Sequence, residues 1–226
     1  MANRRFVFLM ALACLLAPVT SHAQYSPDII EFHGDDDLGF PSHDSLTIVD
    51  GGTIEFWVGA DWQDDPGYDP VVLSNAGPEG ALYTVSILGD RQGLGLQSGE
   101  FLGDVPFDFS DGQMHHVALA DFGEDILVMV DGQVVGELAT TLPELPSAGL
   151  WIGSADGVNA KFRGAIAGLR IWAVALERKT LVDYAQRDVA DANAPHPDLE
   201  LLVAISDFND ESLRLTALEE LDDENP

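Results

Sequence analysis

Two short apolar runs bounded by Asp-Gly pairs constrain the fold of this chain most strongly. The first run, Met114–Ala118, follows Asp111-Gly112, and the second, Ile126–Val130, precedes Asp131-Gly132. Short apolar runs with turn residues at both ends are typical of strands joined as hairpins. The segment therefore predicts two antiparallel strands closed by an Asp-Gly turn.

The run from Phe162 to Trp172 predicts another strand, and Gly164 near its start predicts a close approach by a second backbone. Only Leu176–Val189 has the apolar spacing of a helix. Short strands separated by turn residues predict a β-sandwich. These further strands are predicted at Ile29–Phe32, Leu38–Phe40, Thr53–Val58, Val71–Ser74, Leu82–Leu88, Gly93–Gln97, Leu150–Gly153 and Asp198–Phe208.

These segments resemble, in order and spacing, the laminin G/pentraxin-like branch of the concanavalin A-like jelly rolls. The resemblance rests on the Asp-Gly-Gln-Met-His-His-Val-Ala run, the apolar strand ending in Asp-Gly, and the Phe-Arg-Gly-Ala-Ile strand ending in Arg-Ile-Trp. It covers residues 28 to 213 approximately. It implies an all-β, two-sheet antiparallel jelly-roll sandwich with one short helix before the last strand. It also implies that the first and last strands meet.

The N-terminus has the three parts of a secretory signal peptide. Arg4 and Arg5 precede the apolar run Phe6–Leu16, and Ser21-His22-Ala23 offers a cleavage site. We therefore expect residues 1–23 to be removed, residues 24–215 to form the jelly-roll domain, and residues 216–226 to be a flexible acidic tail. The mature protein is expected to be secreted or periplasmic. Lipid attachment at Cys14, the only cysteine, is the alternative.

The chain is strongly acidic. Its net charge is −29, and loss of two arginines with the signal peptide makes the mature value −29 − 2 = −31. Proteins bind nucleic acid through Lys and Arg side chains that neutralise its phosphate groups. A chain with this negative charge repels phosphate, so nucleic acid and anionic lipid are excluded as partners. No membrane insertion is expected. A solvated acidic surface and calcium binding are both consistent with this composition.

Aspartates are the candidate metal ligands, because calcium takes six to eight hard oxygen ligands. Asp35, Asp36 and Asp37 form an acidic turn, and pairing of the first and last strands would bring Asp207 and Asn209 beside it. Pentraxin-like relatives often carry such a site, so the resemblance adds calcium as the candidate cofactor. The alternative is a turn whose side chains cap backbone amides.

Two further polar features favour structural roles. Asp156 and Asn159 lie in the loop 154–159, which is a second calcium candidate but is more typical of an ordinary turn. His115 and His116 are adjacent on a strand, so they point to opposite faces and cannot easily share one ion. The resemblance implies that one ring packs inside and the other lies at the surface.

Trp62 and Tyr68 are the candidate ligand-binding residues, because they flank the loop 61–70 and combine an apolar face with a polar group. Packing under this loop is the other role for both, and the one that residues of these types more often have. Trp57, Trp151 and Trp172 lie in strands that match core strands of the family, so they are expected in the core.

The sequence predicts no catalytic residues. Glu55 stands alone on its strand, and Glu124 and Asp125 lie in a turn, whereas glycoside hydrolysis needs two carboxylates across one cleft. No Gly-x-Ser-x-Gly motif is present. The predicted function is a secreted, non-catalytic recognition module for a glycan or an extracellular protein. The alternatives are a structural part of an extracellular or envelope assembly and a glycan-active hydrolase of the same fold.

Overall fold

The computed structural model describes residues 29–189 and 194–206 in full, and the backbone of Arg214–Leu215. The predicted signal peptide and tail, Asp207 and Asn209 lie outside the described residues. The helix α1 is Arg178–Tyr184, and single 3-10 turns cover Asp44–Leu46 and Leu199–Leu201. The fourteen described strands are β1 Ile29–His33, β2 Leu38–Phe40, β3 Gly52–Ala60, β4 Val71–Gly77, β5 Gly80–Ile87, β6 Gly93–Ser98, β7 Phe101–Pro106, β8 His115–Asp121, β9 Ile126–Val130, β10 Gln133–Leu138, β11 Leu150–Ile152, β12 Arg163–Trp172, β13 Leu202–Ser206 and β14 Arg214–Leu215.

These strands form two antiparallel sheets packed face to face. The eight-stranded sheet has the order β10-β9-β8-β3-β12-β13-β14, with β1 also paired to β12. The six-stranded sheet has the order β2-β11-β4-β5-β6-β7. The predicted jelly-roll sandwich with one short helix before the closing strands is thus confirmed. No helix among the described residues is long and apolar enough to cross a membrane.

Three strands, β7, β10 and the two-residue β14, are absent from the sequence prediction. Strand β7 has the sequence Phe-Leu-Gly-Asp-Val-Pro, and three of its residues are types that usually mark turns. Strand β10 contains a register shift next to Gly136, which breaks the regular alternation of side chains. Both β7 and β10 pair with neighbours that the sequence does predict, β6 and β9.

The core lies between the sheets and follows from alternation along the strands. On β3, Ile54, Phe56 and Val58 point into the main core, whereas Glu55 and Trp57 belong to the opposite face. That outer face of the eight-stranded sheet carries a second apolar cluster under α1. The members of this second cluster are Ala118, Ala120, Met129, Trp172, Leu176, Leu181, Val189 and Leu202.

Two local predictions are confirmed at glycine positions. A Cβ at Gly164 would overlap the carbonyl oxygen of Gly59, so the close backbone approach does exclude a side chain there. Between β9 and β10, Asp131 and Gly132 have φ values of 50° and 74°. Positive φ at both positions is the geometry that favours Asp-Gly in tight hairpins.

The helix is shorter than the predicted span Leu176–Val189, because a side chain binds the carbonyls at its end. The guanidinium of Arg170 donates to the carbonyl oxygens of Tyr184 and Arg187 at 3.1 and 2.7 Å. These carbonyl groups are therefore satisfied without another helical turn.

The first and last strands, which the resemblance expects to meet, adjoin on β12 but do not pair with each other among the described strands. Both β1 and β13 pair with the same edge of β12, β1 along Arg163–Ala167 and β13 along Leu169–Trp172. The end of β1 at His33 is opposite Arg163, while the end of β13 at Ser206 is opposite Leu169. Six residues of strand separate these points, or about 20 Å. The acidic turn after β1 therefore begins far from the end of β13.

Candidate functional site

Trp151 is the aromatic residue that the six-stranded sheet presents on its outer face. Its neighbours on β11, Leu150 and Ile152, are buried in the main core, so the side chain between them points away from the core. The indole is half-buried. The expectation that Trp151 is a core residue is therefore wrong.

An open groove lies beside this indole and has a volume of about 580 Å³. We call it the Trp151 groove. Asp156 is the charged residue of its lining. The lining consists of Gly39, Phe40, Pro41, Ala76, Gly77, Pro78, Ala148, Gly149, Trp151 and Asp156.

The indole of Trp151 is held in one position by its surroundings. A Cβ at Gly39, the residue opposite on β2, would overlap the ring, and a Cβ at Gly157 would come within 2.6 Å of it. The indole N–H donates to the carbonyl oxygen of Ala76 at 3.2 Å. The two glycines leave room for the ring, and the hydrogen bond fixes its orientation.

The loop 153–161 borders the groove and is shaped by Asp156. One carboxylate oxygen of Asp156 accepts from the backbone N–H groups of Val158 and Asn159, and the other accepts from the side-chain amide of Asn159. The hydrogen bonds from Asn159 hold the pKa of Asp156 below its usual value. These are the contacts of a capped turn, the alternative that the sequence favours for this loop.

Lys161 connects the loop 153–161 to the acidic turn and to the loop 61–70. Its ammonium group is hydrogen-bonded to the carboxylate of Asp37 and to the carbonyl oxygen of Gly157, 3.0 Å away. The carbonyl oxygen of Lys161 accepts from the hydroxyl of Tyr68 at 3.1 Å. We call these contacts the Lys161 bridge. It joins Asp37 and Tyr68, two candidate site residues, to the loop that borders the groove.

The acidic turn is already paired with cationic or polar partners of the same chain. Asp36 accepts from the backbone N–H of His33 at 2.7 Å and contacts the His33 ring at 3.3 Å, which lowers its pKa despite some desolvation. Asp37 contacts Lys161, and Asp35 is exposed. Among the residues that the structure describes, no group of three or more His, Cys, Asp or Glu could hold a metal ion.

Trp62 is buried, with 8% of its surface exposed, which corrects the expectation of an exposed platform. Its ring packs edge-on against Phe162 at 5.9 Å, and its indole N–H donates to the carbonyl oxygen of Gly89 at 2.8 Å. Packing under the loop is therefore its structural role. Tyr68 is 44% exposed and remains accessible at the surface.

His115 and His116 occupy opposite faces of β8, as alternation predicts, but both are buried, so the expected surface position of one ring is wrong. His115 contacts Asp131 at 2.7 Å and Asp111 at 3.1 Å through its two ring nitrogens. Burial lowers the pKa of His115, but these two carboxylates outweigh it and raise the pKa above its usual value. His116 contacts Glu55 on the outer face.

Glu55 has no second carboxylate beside it on β3, but three groups from other strands converge on it. One carboxylate oxygen accepts from Arg170 at 3.3 Å and from the indole of Trp172 at 3.0 Å, and the other contacts His116 at 3.0 Å. Burial raises the pKa of Glu55, but the Arg170 charge and the other partners outweigh it and lower the pKa to about 2. This buried network holds β3, β8 and β12 together under α1.

The alternation of residues along β11 indicates that Trp151 faces away from the core, although the resemblance to the family places it in a core strand. In Leu150-Trp151-Ile152, two buried aliphatic residues flank the tryptophan, and a strand turns alternate residues to opposite faces. Burial of one face therefore places the tryptophan on the other. Which face is open to a ligand depends on the partner strands, and the sequence of β11 alone does not contain that information.

A protein-family model described as the concanavalin A-like lectin/glucanases superfamily matches residues 32–181. The chain belongs to this family. This agrees with the jelly-roll sandwich, and the match includes β2, β11 and the loop 153–161. No curated protein sequence matches the chain.

Solved structures with low sequence identity share the fold. A heptameric SAP-like pentraxin from Limulus polyphemus is 15% identical, with a TM-score of 0.57 over 84% of this chain and 92% of its own. Domain 4 of AbnA, an extracellular arabinanase from Geobacillus stearothermophilus in complex with arabinotriose, is 17% identical, with a TM-score of 0.56 over 72% and 80%. The CBM40 of a Ruminococcus gnavus sialidase, bound to α2,3-sialyllactose, is 14% identical, with a TM-score of 0.51 over 70% and 98%.

Proposed function

We propose that this protein is a secreted, non-catalytic module that binds carbohydrate in the Trp151 groove. The observation that carries the proposal is the fixed, half-buried indole on the outer face of the six-stranded sheet, directly beside an open groove. A sugar ring has an apolar face that can pack on an aromatic ring, and a rigid aromatic residue loses little conformational freedom on binding. The arabinanase and sialidase modules that share the fold were solved with oligosaccharides.

The edge of the groove supplies polar groups for sugar hydroxyls. Asp156 is exposed at the rim and keeps free acceptor capacity beyond its bonds within the loop. Tyr68 is exposed and is joined through the Lys161 bridge to the same loop. An apolar surface with a few polar groups at its edge is typical of small-molecule sites. Tyr68 is therefore kept as a candidate ligand-binding residue on this side of the loop 153–161.

A glycan array, run with and without calcium, tests this function directly. Replacement of Trp151 by alanine should weaken binding of the best glycan by about tenfold or more, because truncating a central aromatic contact commonly costs over 1 kcal/mol. Trp151→Phe keeps an aromatic face and should retain part of the affinity. Trp57→Ala is the matched control, since Trp57 is a half-buried tryptophan on the eight-stranded sheet. Equal binding by Trp151→Ala and wild type would contradict the proposal.

The non-catalytic part of the proposal is supported by the two buried carboxylates of the described residues. The side chain of Glu55 lies on the face of the eight-stranded sheet that packs under α1. The side chain of Asp121 lies on the opposite face, because residues alternate along β8, and it accepts hydrogen bonds from the N–H groups of Gly123 and Leu142. Two carboxylates on opposite faces of a sheet cannot flank one glycosidic bond. We expect no release of reducing sugars from common polysaccharides. Release that disappears on changing one Asp or Glu would contradict this expectation.

Calcium stays a prediction for the turn Asp35–Asp37. Because the ammonium of Lys161 already contacts Asp37, part of the charge repulsion that a divalent ion would relieve is relieved by the chain itself. The described residues do not by themselves form a calcium site. The prediction therefore depends on ligands from Asp207 and Asn209, which lie outside the described residues.

A further inference from the structure

The lining of the Trp151 groove carries a negative charge and no positive charge. Its lining contains one charged residue, Asp156, and includes no lysine, arginine or histidine. From this charge distribution we infer that the groove selects uncharged glycans and rejects glycans that carry a carboxylate. The inference rests on the proposed function and specifies the class of its ligand.

Asp156 is ionised at neutral pH, because its oxygens accept hydrogen bonds from three N–H donors of Val158 and Asn159. These bonds also fix the carboxylate at the rim of the groove. A ligand carboxylate brought against Trp151 would therefore meet a fixed negative charge at close range. Like charges brought together at a binding surface reduce affinity and exclude the wrong ligand.

Lys161, the lysine of this loop, balances Asp156 only in part: its charge contributes to the lowered pKa of Asp156, but its ammonium group is held by other partners. The Lys161 ammonium is bound to Asp37 and to the carbonyl oxygen of Gly157, and only 15% of its side chain is exposed. A ligand anion would have to compete with Asp37 for it. The net charge of −29 for the chain adds a repulsion of the same sign at longer range.

An uncharged sugar meets none of these costs. Its apolar face can pack on the indole, and its hydroxyl groups can donate to the Asp156 carboxylate or to backbone carbonyls at the groove edge. Of the two oligosaccharides in the fold relatives, arabinotriose is uncharged and α2,3-sialyllactose carries a carboxylate. The groove of this chain is suited to the first kind of ligand.

The test uses one glycan in two charge states. The strongest uncharged ligand from the array is compared with the uronate made by oxidising one of its primary hydroxyls. We expect the wild-type protein to bind the uncharged member at least tenfold more tightly, at about 20 mM salt. The preference should decrease at high salt, because exposed charges are screened.

Asp156→Asn isolates the local charge, since asparagine can still accept hydrogen bonds in the turn. This variant should reduce the preference for the uncharged ligand by threefold or more. Asp104→Asn is the matched control: Asp104 is exposed on β7, at the opposite edge of the same sheet, and its replacement changes the net charge equally. The control should leave the preference unchanged.

The outcomes separate the two claims. If Trp151→Ala abolishes binding but the protein binds the charged and uncharged ligands equally, or if its strongest array ligand is anionic, the inference is wrong and the proposed function stands. If Asp156→Asn and Asp104→Asn change the preference equally, the selectivity comes from net charge and the inference is wrong. If no glycan binds, the proposed function fails and the inference fails with it.

Discussion

Replacement of Glu55 by glutamine should destabilise the fold severely without changing its shape. The carboxylate is 2% exposed and is the counter-ion of Arg170, which is equally buried. Glutamine can still accept from Arg170 and Trp172 through its amide oxygen, so the substitution removes the negative charge and little else. Arg170 then loses the negative charge that Glu55 places beside it.

The expected cost is about 3–5 kcal/mol, the usual range when one partner of a buried ion pair is removed. In a domain of 150–250 residues, each kcal/mol lowers the melting temperature by about 2–4 °C, so a fall of about 6–20 °C is expected. Urea unfolding followed by tryptophan fluorescence and thermal unfolding followed by circular dichroism measure the effect. Glu100→Gln, at an exposed turn, is the control and should change the melting temperature by less than about 2 °C.

Acid should reduce the difference between Glu55→Gln and the wild-type protein. The folded-state pKa of Glu55 is about 2, below its usual value of 4.5, so its contribution to stability is fully present above pH 4.5. The contribution is lost as the pH falls towards 2, because protonation removes the charge that glutamine also lacks. A difference in unfolding free energy below about 1 kcal/mol at pH 7, or one that is the same at pH 7 and pH 3, would refute this account.

Three further predictions concern pH, secretion and calcium. The pKa of His115 is raised in the folded state, so protonated His115 stabilises the fold below pH 6.5. This contribution is lost as the pH rises through the folded-state pKa. The unfolding free energies of the wild-type protein and His115→Gln should therefore converge between about pH 6 and pH 9. Mass spectrometry of the protein purified from its native host should show a chain beginning at Gln24, and a chain beginning at Met1 would contradict the signal peptide. Calcium should raise the melting temperature more than equal magnesium, and Asp35→Ala with Asp37→Ala should abolish the difference; equal effects of the two ions would show general charge screening instead.

Much of the fold is predictable from the sequence because strands and turns are encoded locally. The Asp131-Gly132 hairpin follows from residue types that accept positive φ, and Gly164 marks a backbone contact by lacking a side chain. These features depend on neighbours in the chain. The resemblance to the laminin G/pentraxin-like domains also rests on such local strand and turn motifs, and it predicts the two-sheet sandwich correctly.

The candidate site is less predictable, because it depends on which face of each strand is open. Trp151, which is expected in the core, lies on an outer face, whereas Trp62 is packed under its loop and only its role as an exposed platform is excluded. A shift of one residue along a strand reverses the facing of its side chains, so membership of a strand does not decide exposure. The Glu55 network is hidden for a different reason, since Arg170 lies 115 residues away and the two meet only through strand pairing.

The Lys161 bridge determines how this protein should be attached to a surface. The chain has two lysines, Lys161 and Lys179, and 83% of the Lys179 side chain is exposed. Amine-coupling reagents should therefore react with Lys179 and the N-terminal amine, and leave Lys161 intact while its bridge holds. Lys179 lies on α1, which covers the outer face of the eight-stranded sheet, so coupling there presents the Trp151 groove on the other side of the sandwich to the analyte.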